Sequence, residues 1–377
     1  MNRSVSRGSR LGLAALVLVA ASACGTSTAS SSSSSSSSSV DAATATSAAA
    51  FGGMSGLVAA AKKEGQLNVI ALPLNWANYG SIISDFEAKY GITVNQANPQ
   101  GSSQDEVNAV TSQAGTSSCP DVLDIGMAVA WANTKLFAPY EVSEWSDIPA
   151  GQKDATGLWY QDYGGYMSIG YDSSKYTVTS VSDLLSSSFK SAVALDGDPT
   201  EANAALNGVM MASLAEGGSL SNIGPGVSFF KQLNSDGNFV PVTATAATID
   251  NGTTPVVFDW DYLNSASVVN LPSWKVFVPS SAVLGGYYAQ AITKCSPHPA
   301  AARLWEEYLY STTGQNLWLQ GGARPVEMSA MQANGTINQT YAAALPAVSG
   351  TPVTLDQSEA SSAASYLASN WSAAVGS

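Results

Sequence analysis

The order of apolar and polar positions divides this chain into alternating strands and helices. Leu67, Val69, Ile70 and Leu72 form a short apolar run that stops at Pro73, which has no N–H to give to a ladder. Asn75, Trp76 and Tyr79 follow in a loop, and Ile82, Ile83, Phe86 and Tyr90 then recur at helical spacing up to Gly91. A short helix over 55–63, closed by Gly65, precedes this unit. Residues 92–94 predict a second strand, and Ser102 or Ser103 caps the next helix, with Glu106 completing a capping box. Residues 120–126 predict a third strand that runs into a turn bearing Trp131.

The second half repeats the alternation. Residues 158–171 are strand-like and dense in aromatics (Trp159, Tyr160, Tyr163, Tyr166). Gly164-Gly165 interrupts them, predicting a bend or a crossing between lobes. A strand over 191–195 turns at Asp196-Gly197-Asp198-Pro199 into a helix over 200–216, with Asp198 as N-cap and Pro199 in the first turn. A helix over 224–236 leads to a strand at 254–258, which ends in Asp259-Trp260-Asp261-Tyr262. Strands at 275–279 and 287–292 and helices over 299–311, 314–320 and 358–375 complete the chain. Alternating strands and helices predict an α/β fold, each lobe a mostly parallel sheet flanked by helices. In such sheets ligands sit beyond the carboxyl ends of the strands, where the loops just named fall.

Composition narrows the setting. At 377 residues the chain exceeds one ordinary core, in keeping with two lobes. Formal net charge is −13; residues 1–23 hold Arg3, Arg7 and Arg10 and no acid, so the remainder carries −16. That balance repels phosphate backbones and excludes a nucleic-acid partner. Three early arginines before an apolar run at 11–21 read as an export signal, too short for a permanent span. Ala21-Ser22-Ala23-Cys24 resembles a bacterial lipobox, which implies that Cys24 becomes a lipidated N-terminus. Residues 24–54, including unbroken serine from 30 to 39, predict a flexible tether between anchor and body. Cys119 and Cys295 remain, and in an exported protein such a pair is a disulfide candidate. With one histidine, His298, read as a surface helix-start residue, no metal or cofactor site is expected.

Three segments carry a resemblance to a known family. They are 57–69 with 86–94, then Cys119-Pro120-Asp121-Val122-Leu123-Asp124, and finally 296–315. Together they resemble the extracellular solute-binding proteins of ABC importers, over roughly 55–328. The resemblance implies a type II periplasmic-binding-protein fold, with lobe 1 at 55–162 plus 279–323 and lobe 2 at 163–278 plus 324–377. It implies a small-molecule ligand in the cleft between lobes, hinge closure, delivery to permease subunits, and a monomer held at the membrane through its lipid.

Within the family, the loop at 75–79 is most similar to that of spermidine/putrescine binders, where Trp and Tyr wall an amine. Asp198, Glu201 and Trp260 fall where that subfamily carries acidic and aromatic positions. Aromatic faces and carboxylates suit an alkylammonium. The expected site is Asn75, Trp76, Tyr79, Ser102, Ser103, Trp131, Tyr163, Asp198, Glu201, Asp259, Trp260, Asp261, Tyr262 and Tyr288. One departure stands against a diamine: the segment Gly285-Gly286-Tyr287-Tyr288-Ala289-Gln290 lacks a carboxylate expected there. A phosphonate-type anion held by Ser102, Ser103 and helix N–H groups, or ferric ion at tyrosines, is the alternative. A secreted enzyme is a further alternative. The chain has no Gly-x-Ser-x-Gly elbow and no metal motif, although Asp259 and Asp261 could do acid–base work.

Overall fold

A computed structural model describes residues 40–376. Ten strands, numbered in chain order, carry the fold: β1 (Gln66–Ile70), β2 (Thr93–Ala97), β3 (Val122–Gly126), β4 (Phe137–Ala138), β5 (Tyr160–Asp172), β6 (Val193–Leu195), β7 (Val256–Trp260), β8 (Trp274–Phe277), β9 (Gly285–Thr293) and β10 (Arg324–Pro325). β1 and β2 pair in parallel, and the main sheet runs in the order β3-β9-β5-β7-β6. β5 is its spine. The N-terminal part of β5 pairs with β9, and its C-terminal part pairs with β7 and β8, so one strand serves both lobes of the two-lobed fold.

Ladder directions are mixed rather than mostly parallel. β6 and β7 are parallel, but β3 with β9 and β5 with β7, β8 and β9 are antiparallel, because the crossing strands return against their neighbours. The register of β5 against β9 shifts between Gln161 and Gly164. Gly164 and Gly165 are required at this crossing. A Cβ on Gly164 would stand 2.2 Å from the Gly286 carbonyl oxygen, and one on Gly165 would stand 2.3 Å from Asp261 Oδ1.

The core is largely aromatic around this spine. Phe86 meets Trp305 edge-on at 5.0 Å, and Tyr163 stacks on Trp318 at 4.2 Å. Each fully buried ring of this size contributes about 2–3 kcal/mol through burial alone. Near the first sheet, the carboxylate of Asp121 accepts from the Asn68 and His298 amides, from Ser296 Oγ and from His298 Nδ1 at 2.9 Å. Glu64 receives the amides of Ala300 and Ala301, fixing the start of helix Pro299–Leu309. His298 is therefore buried, not a surface cap, and Asp121 beside it raises its pKa above the ordinary value. Cys119 and Cys295 are joined as a disulfide with a Cα–Cα distance of 6.1 Å.

Two expectations about boundaries shift. Residues 40–54, expected inside the tether, are folded, because the buried Arg303 draws them in by donating to the Ala43 and Ala45 carbonyls. Cys24 and the rest of the signal and tether lie outside the described residues. Residues 328–344, expected in lobe 2, instead pack Met331 and Ile337 on Leu319 of helix Thr312–Gln320. Helix Gln357–Val375 packs on helix Gly224–Ser235, with Trp371 edge-on to Phe230 at 5.5 Å.

Candidate functional site

A cavity of about 910 Å³ opens beyond the ends of β1, β3, β6 and β7. Three local choices shape its first wall. β1 ends in Ala71 at φ 57°, and the loop beyond holds Ala77 at φ 42° and Asn78 at φ 70°. These are left-handed conformations that cost a non-glycine residue on the order of 1 kcal/mol each, so tertiary contacts hold them. Asn78 Nδ2 donates to the Leu317 carbonyl, anchoring the loop. Trp76 then lines the cavity, half-buried, with its Nε1 donating to Tyr163 Oη at 2.7 Å. Tyr163 donates in turn to Asp124 Oδ2 at 2.7 Å.

Helix Ser103–Ser112 builds the second wall. Ser102 is its N-cap, accepting from the Asp105 amide, and Asp105, not Glu106, closes the capping box. The reason is helical phase: Asp105 is the third helical residue, whereas Glu106 falls one place later and turns inward. Glu106 is 1% exposed and lines the cavity beside Asp124, with Oε2 unpartnered. Asp124 Oδ1 is likewise buried without a partner. Burial pushes the Asp124 carboxyl up to about 7. Burial first, and Asp124 second, push Glu106 well above the carboxylate range. Ser103 is already used, accepting from the Gly126 amide.

The third wall comes from β6 and β7. Leu195 pairs with Phe258 in parallel, so the next residues, Asp196 just beyond β6 and Asp259 near the end of β7, stand side by side. Both line the cavity. Burial holds Asp196 up to about 7, and burial with the neighbouring Asp196 raises Asp259 further. Tyr288 on β9 also lines the cavity, and its hydroxyl is within electrostatic reach of both Asp124 and Asp196.

Of the residues expected from sequence, Asn75, Trp76, Ser102, Ser103, Asp198, Glu201, Asp259 and Tyr288 line this cavity. Asp198 and Glu201 are exposed at its rim. Asp198 does not cap a helix: its side chain takes the Thr200 amide and hydroxyl in a tight turn, and the helix begins later, at Asn203. Six expected residues do not line it. Tyr79 is buried edge-on to Trp318, and its hydroxyl accepts from Gln290. Trp131 packs edge-on to Trp159 at 6.3 Å. Tyr163 stands behind Trp76 in the core. Trp260 and Tyr262 lie parallel to each other, fully covered, with Trp260 against Gly286. Asp261 is turned away and paired with Arg324 at 2.7 Å. Strand alternation explains the last three: Asp259 faces the cavity, so Trp260 faces the opposite side, and helix Asp261–Ala266 then carries Asp261 and Tyr262 inward.

Sequence reasoning missed Glu106, Asp124 and Asp196 as cavity residues. The signal for one of them was available: Asp196 directly follows a predicted strand, as Asp259 does, whereas Asp124 lies inside one. Among the described residues no group of three His, Cys, Asp or Glu side chains is arranged to hold a metal ion. No described helix is long and apolar enough to cross a membrane.

Comparison with known proteins agrees with this architecture. A family model described as bacterial extracellular solute-binding protein matches residues 116–345, more than half of the chain. No curated protein matches. Among solved structures, the ferric binding protein from Campylobacter jejuni is 18% identical, with TM-score 0.60 over 82% of this chain and 99% of that one. The periplasmic binding protein AfuA from Actinobacillus pleuropneumoniae, solved with fructose-6-phosphate, is 15% identical, with TM-score 0.62 over 83% and 99%. A Listeria monocytogenes chain described as a spermidine/putrescine ABC transporter is 10% identical, with TM-score 0.62 over 81% and 98%. At such identities the likeness is one of fold.

Proposed function

The chain belongs to the bacterial extracellular solute-binding proteins, and from that premise we propose that it captures a small organic cation of the amine class for an ABC importer. One observation carries the reading. Glu106, Asp124, Asp196 and Asp259 line the cavity together with Trp76 and Tyr288, while Lys, Arg and His are absent from its lining. Carboxylates packed this closely in a buried wall repel one another, and a cation among them removes that cost. The faces of Trp76 and Tyr288 add cation–π attraction, worth about 0.5–2 kcal/mol per ring.

The same lining weighs against the other ligands. A phosphonate or sugar phosphate would meet eight acidic side chains and no basic one. Ser103, the buried serine of the expected anion cradle, is already bonded to Gly126. Ferric ion would lack the histidine, which is committed to Asp121. Closure of the two lobes on the bound cation presents the closed form to the permease. In the same reading Cys24 anchors the receptor on the outer face of the cell membrane as a monomer.

A thermal-shift screen tests the proposal, because a ligand at a hundred times its Kd stabilises the native state by about 2.7 kcal/mol. Amines are expected to raise Tm and to change tryptophan fluorescence. A shift with phosphonates, sugar phosphates or ferric citrate, and none with any amine, would overturn it.

A further inference from the structure

Eight acids line the cavity; Asp105, Asp198, Glu201 and Asp250 are exposed, and the four that are not fall into two pairs supplied by different elements. One pair, Glu106 and Asp124, comes from helix Ser103–Ser112 and β3. The other, Asp196 and Asp259, comes from the adjacent ends of β6 and β7. β3 and β6 are the outermost strands of the five-strand path, so the pairs belong to its opposite ends. Tyr288 projects from β9 within electrostatic reach of a member of each.

We infer that the ligand carries two cationic groups, one for each pair, and that each group bears N–H donors; this rests on the cation reading above. A single cation beside Glu106 and Asp124 would leave half-buried Asp196 and buried Asp259 with no counter-charge, since the lining contains no basic residue. Hydrogen bonding then fixes the type of cation. Glu106 Oε2 and Asp124 Oδ1 are buried oxygens without any donor. An ammonium or guanidinium satisfies them with short charge-assisted bonds, whereas a quaternary ammonium has no hydrogen to give. The same lining disfavours basic amino acids, whose own carboxylate would have no cationic partner. Alkyl diamines and aminoalkyl guanidines are the class that remains.

This differs from the pattern expected from sequence, in which a missing carboxylate at 285–290 argued against a diamine. The structure draws its acidic groups from other places, Asp124 within β3 and Asp196 just beyond β6.

Calorimetric titration of the wild-type protein separates the possibilities. The probes are α,ω-diaminoalkanes of increasing length, each matched with the n-alkylamine and the bis-trimethylammonium compound of equal chain length. The best diamine is expected to bind at least about tenfold more tightly than either matched compound. The double variant Asp196→Asn/Asp259→Asn, with its Tm checked, is expected to bring the diamine-to-monoamine ratio close to one. Equal binding of diamine and monoamine to wild type would overturn the two-pole inference and leave the cation reading standing. Equal binding of the bis-trimethylammonium compound would overturn the N–H requirement. Binding of no amine at all, with a shift by an anion or neutral solute, would overturn the cation reading itself.

Discussion

Asp121 and Asp124 stand within a turn's length of each other in sequence, both are buried, and the fold treats them in opposite ways. Asp121 receives donors from Asn68, Ser296 and His298, which together use both of its oxygens. Asp124 receives the Tyr163 hydroxyl, with the Tyr79 hydroxyl also beside it, and its Oδ1 is left unpartnered at the cavity wall. The difference lies in what surrounds each. Asp121 precedes β3 where the first sheet meets the start of helix Pro299–Leu309, so backbone amides and His298 converge on it. Asp124 faces outward from the strand beside another acid, Glu106. A buried carboxylate with every lone pair used is structural cement. One left short beside a second acid is, in the proposed reading, where a cation would bind.

The largest effect that would break this contrast is in stability. Asp121→Ala is expected to cost about 3–5 kcal/mol, because it strands the donors of a buried network. Asp124→Asn keeps an acceptor for Tyr163, so at pH 4, where the Asp124 carboxyl is largely protonated in the folded state, it should change stability by less than about 1 kcal/mol in either direction. Urea unfolding of both variants measures this, and equal losses would erase the distinction.

Next in size is the pH dependence, which sharpens the contrast through its sign. The folded pKa of Asp124, about 7, lies above the unfolded value of about 3.9, so the folded state keeps a proton that the unfolded chain releases. Its contribution is fully present below about 4 and is lost as pH rises to about 7. The empty wild type should therefore lose stability across that range relative to Asp124→Asn. His298, also raised, acts in a later window: its contribution is intact below about 6.5 and declines above it. His298→Gln should remove the decline above neutrality and leave the acidic one. Urea midpoints between pH 4 and pH 8 would read both, and parallel curves for wild type and Asp124→Asn would refute the assignment.

A smaller effect concerns Trp76, which links the two kinds of chemistry. Trp76→Phe keeps a ring at the cavity but removes the donor to Tyr163, at a cost of about 1 kcal/mol in stability. Trp76→Ala should in addition weaken amine binding by about tenfold. A Trp76→Phe variant of unchanged stability would show that the Trp76–Tyr163–Asp124 chain does not brace the wall. The smallest expected effect is at the rim. Asp198→Asn and Glu201→Gln change exposed acids, so affinity at physiological salt should move by less than about twofold. A change of tenfold or more there would put the binding centre at the rim, as the sequence resemblance suggests, and not at the buried pairs.

How much of this was legible in the chain follows from the range of each interaction. The strand-to-loop stretch at 67–80, the crossing at Gly164-Gly165 and the cluster ending in Asp259 are local patterns, and the structure builds its spine and cavity walls from them. The disulfide candidates were legible because only two cysteines follow Cys24. Ligand-facing roles were harder to read. Tyr79, Tyr163, Trp260 and Tyr262 have the composition of a binding wall, yet they line the core, because an aromatic ring suits either environment equally well. Asp124 and Glu106 looked ordinary because nothing in their own segments says that they meet.

By itself, then, the sequence determined the α/β alternation, the two lobes, the acidic charge and the family resemblance, all of which rest on periodicity, composition and short motifs. Tertiary structure alone decided which acids are neutralised and which are left open. That depends on donors brought from distant segments: Ser296 and His298 reach Asp121, and Arg324 reaches Asp261, while no described donor reaches the free oxygens of Glu106 and Asp124. A carboxylate's local sequence fixes its position along a strand or helix; only the packed neighbours fix whether its charge is already answered.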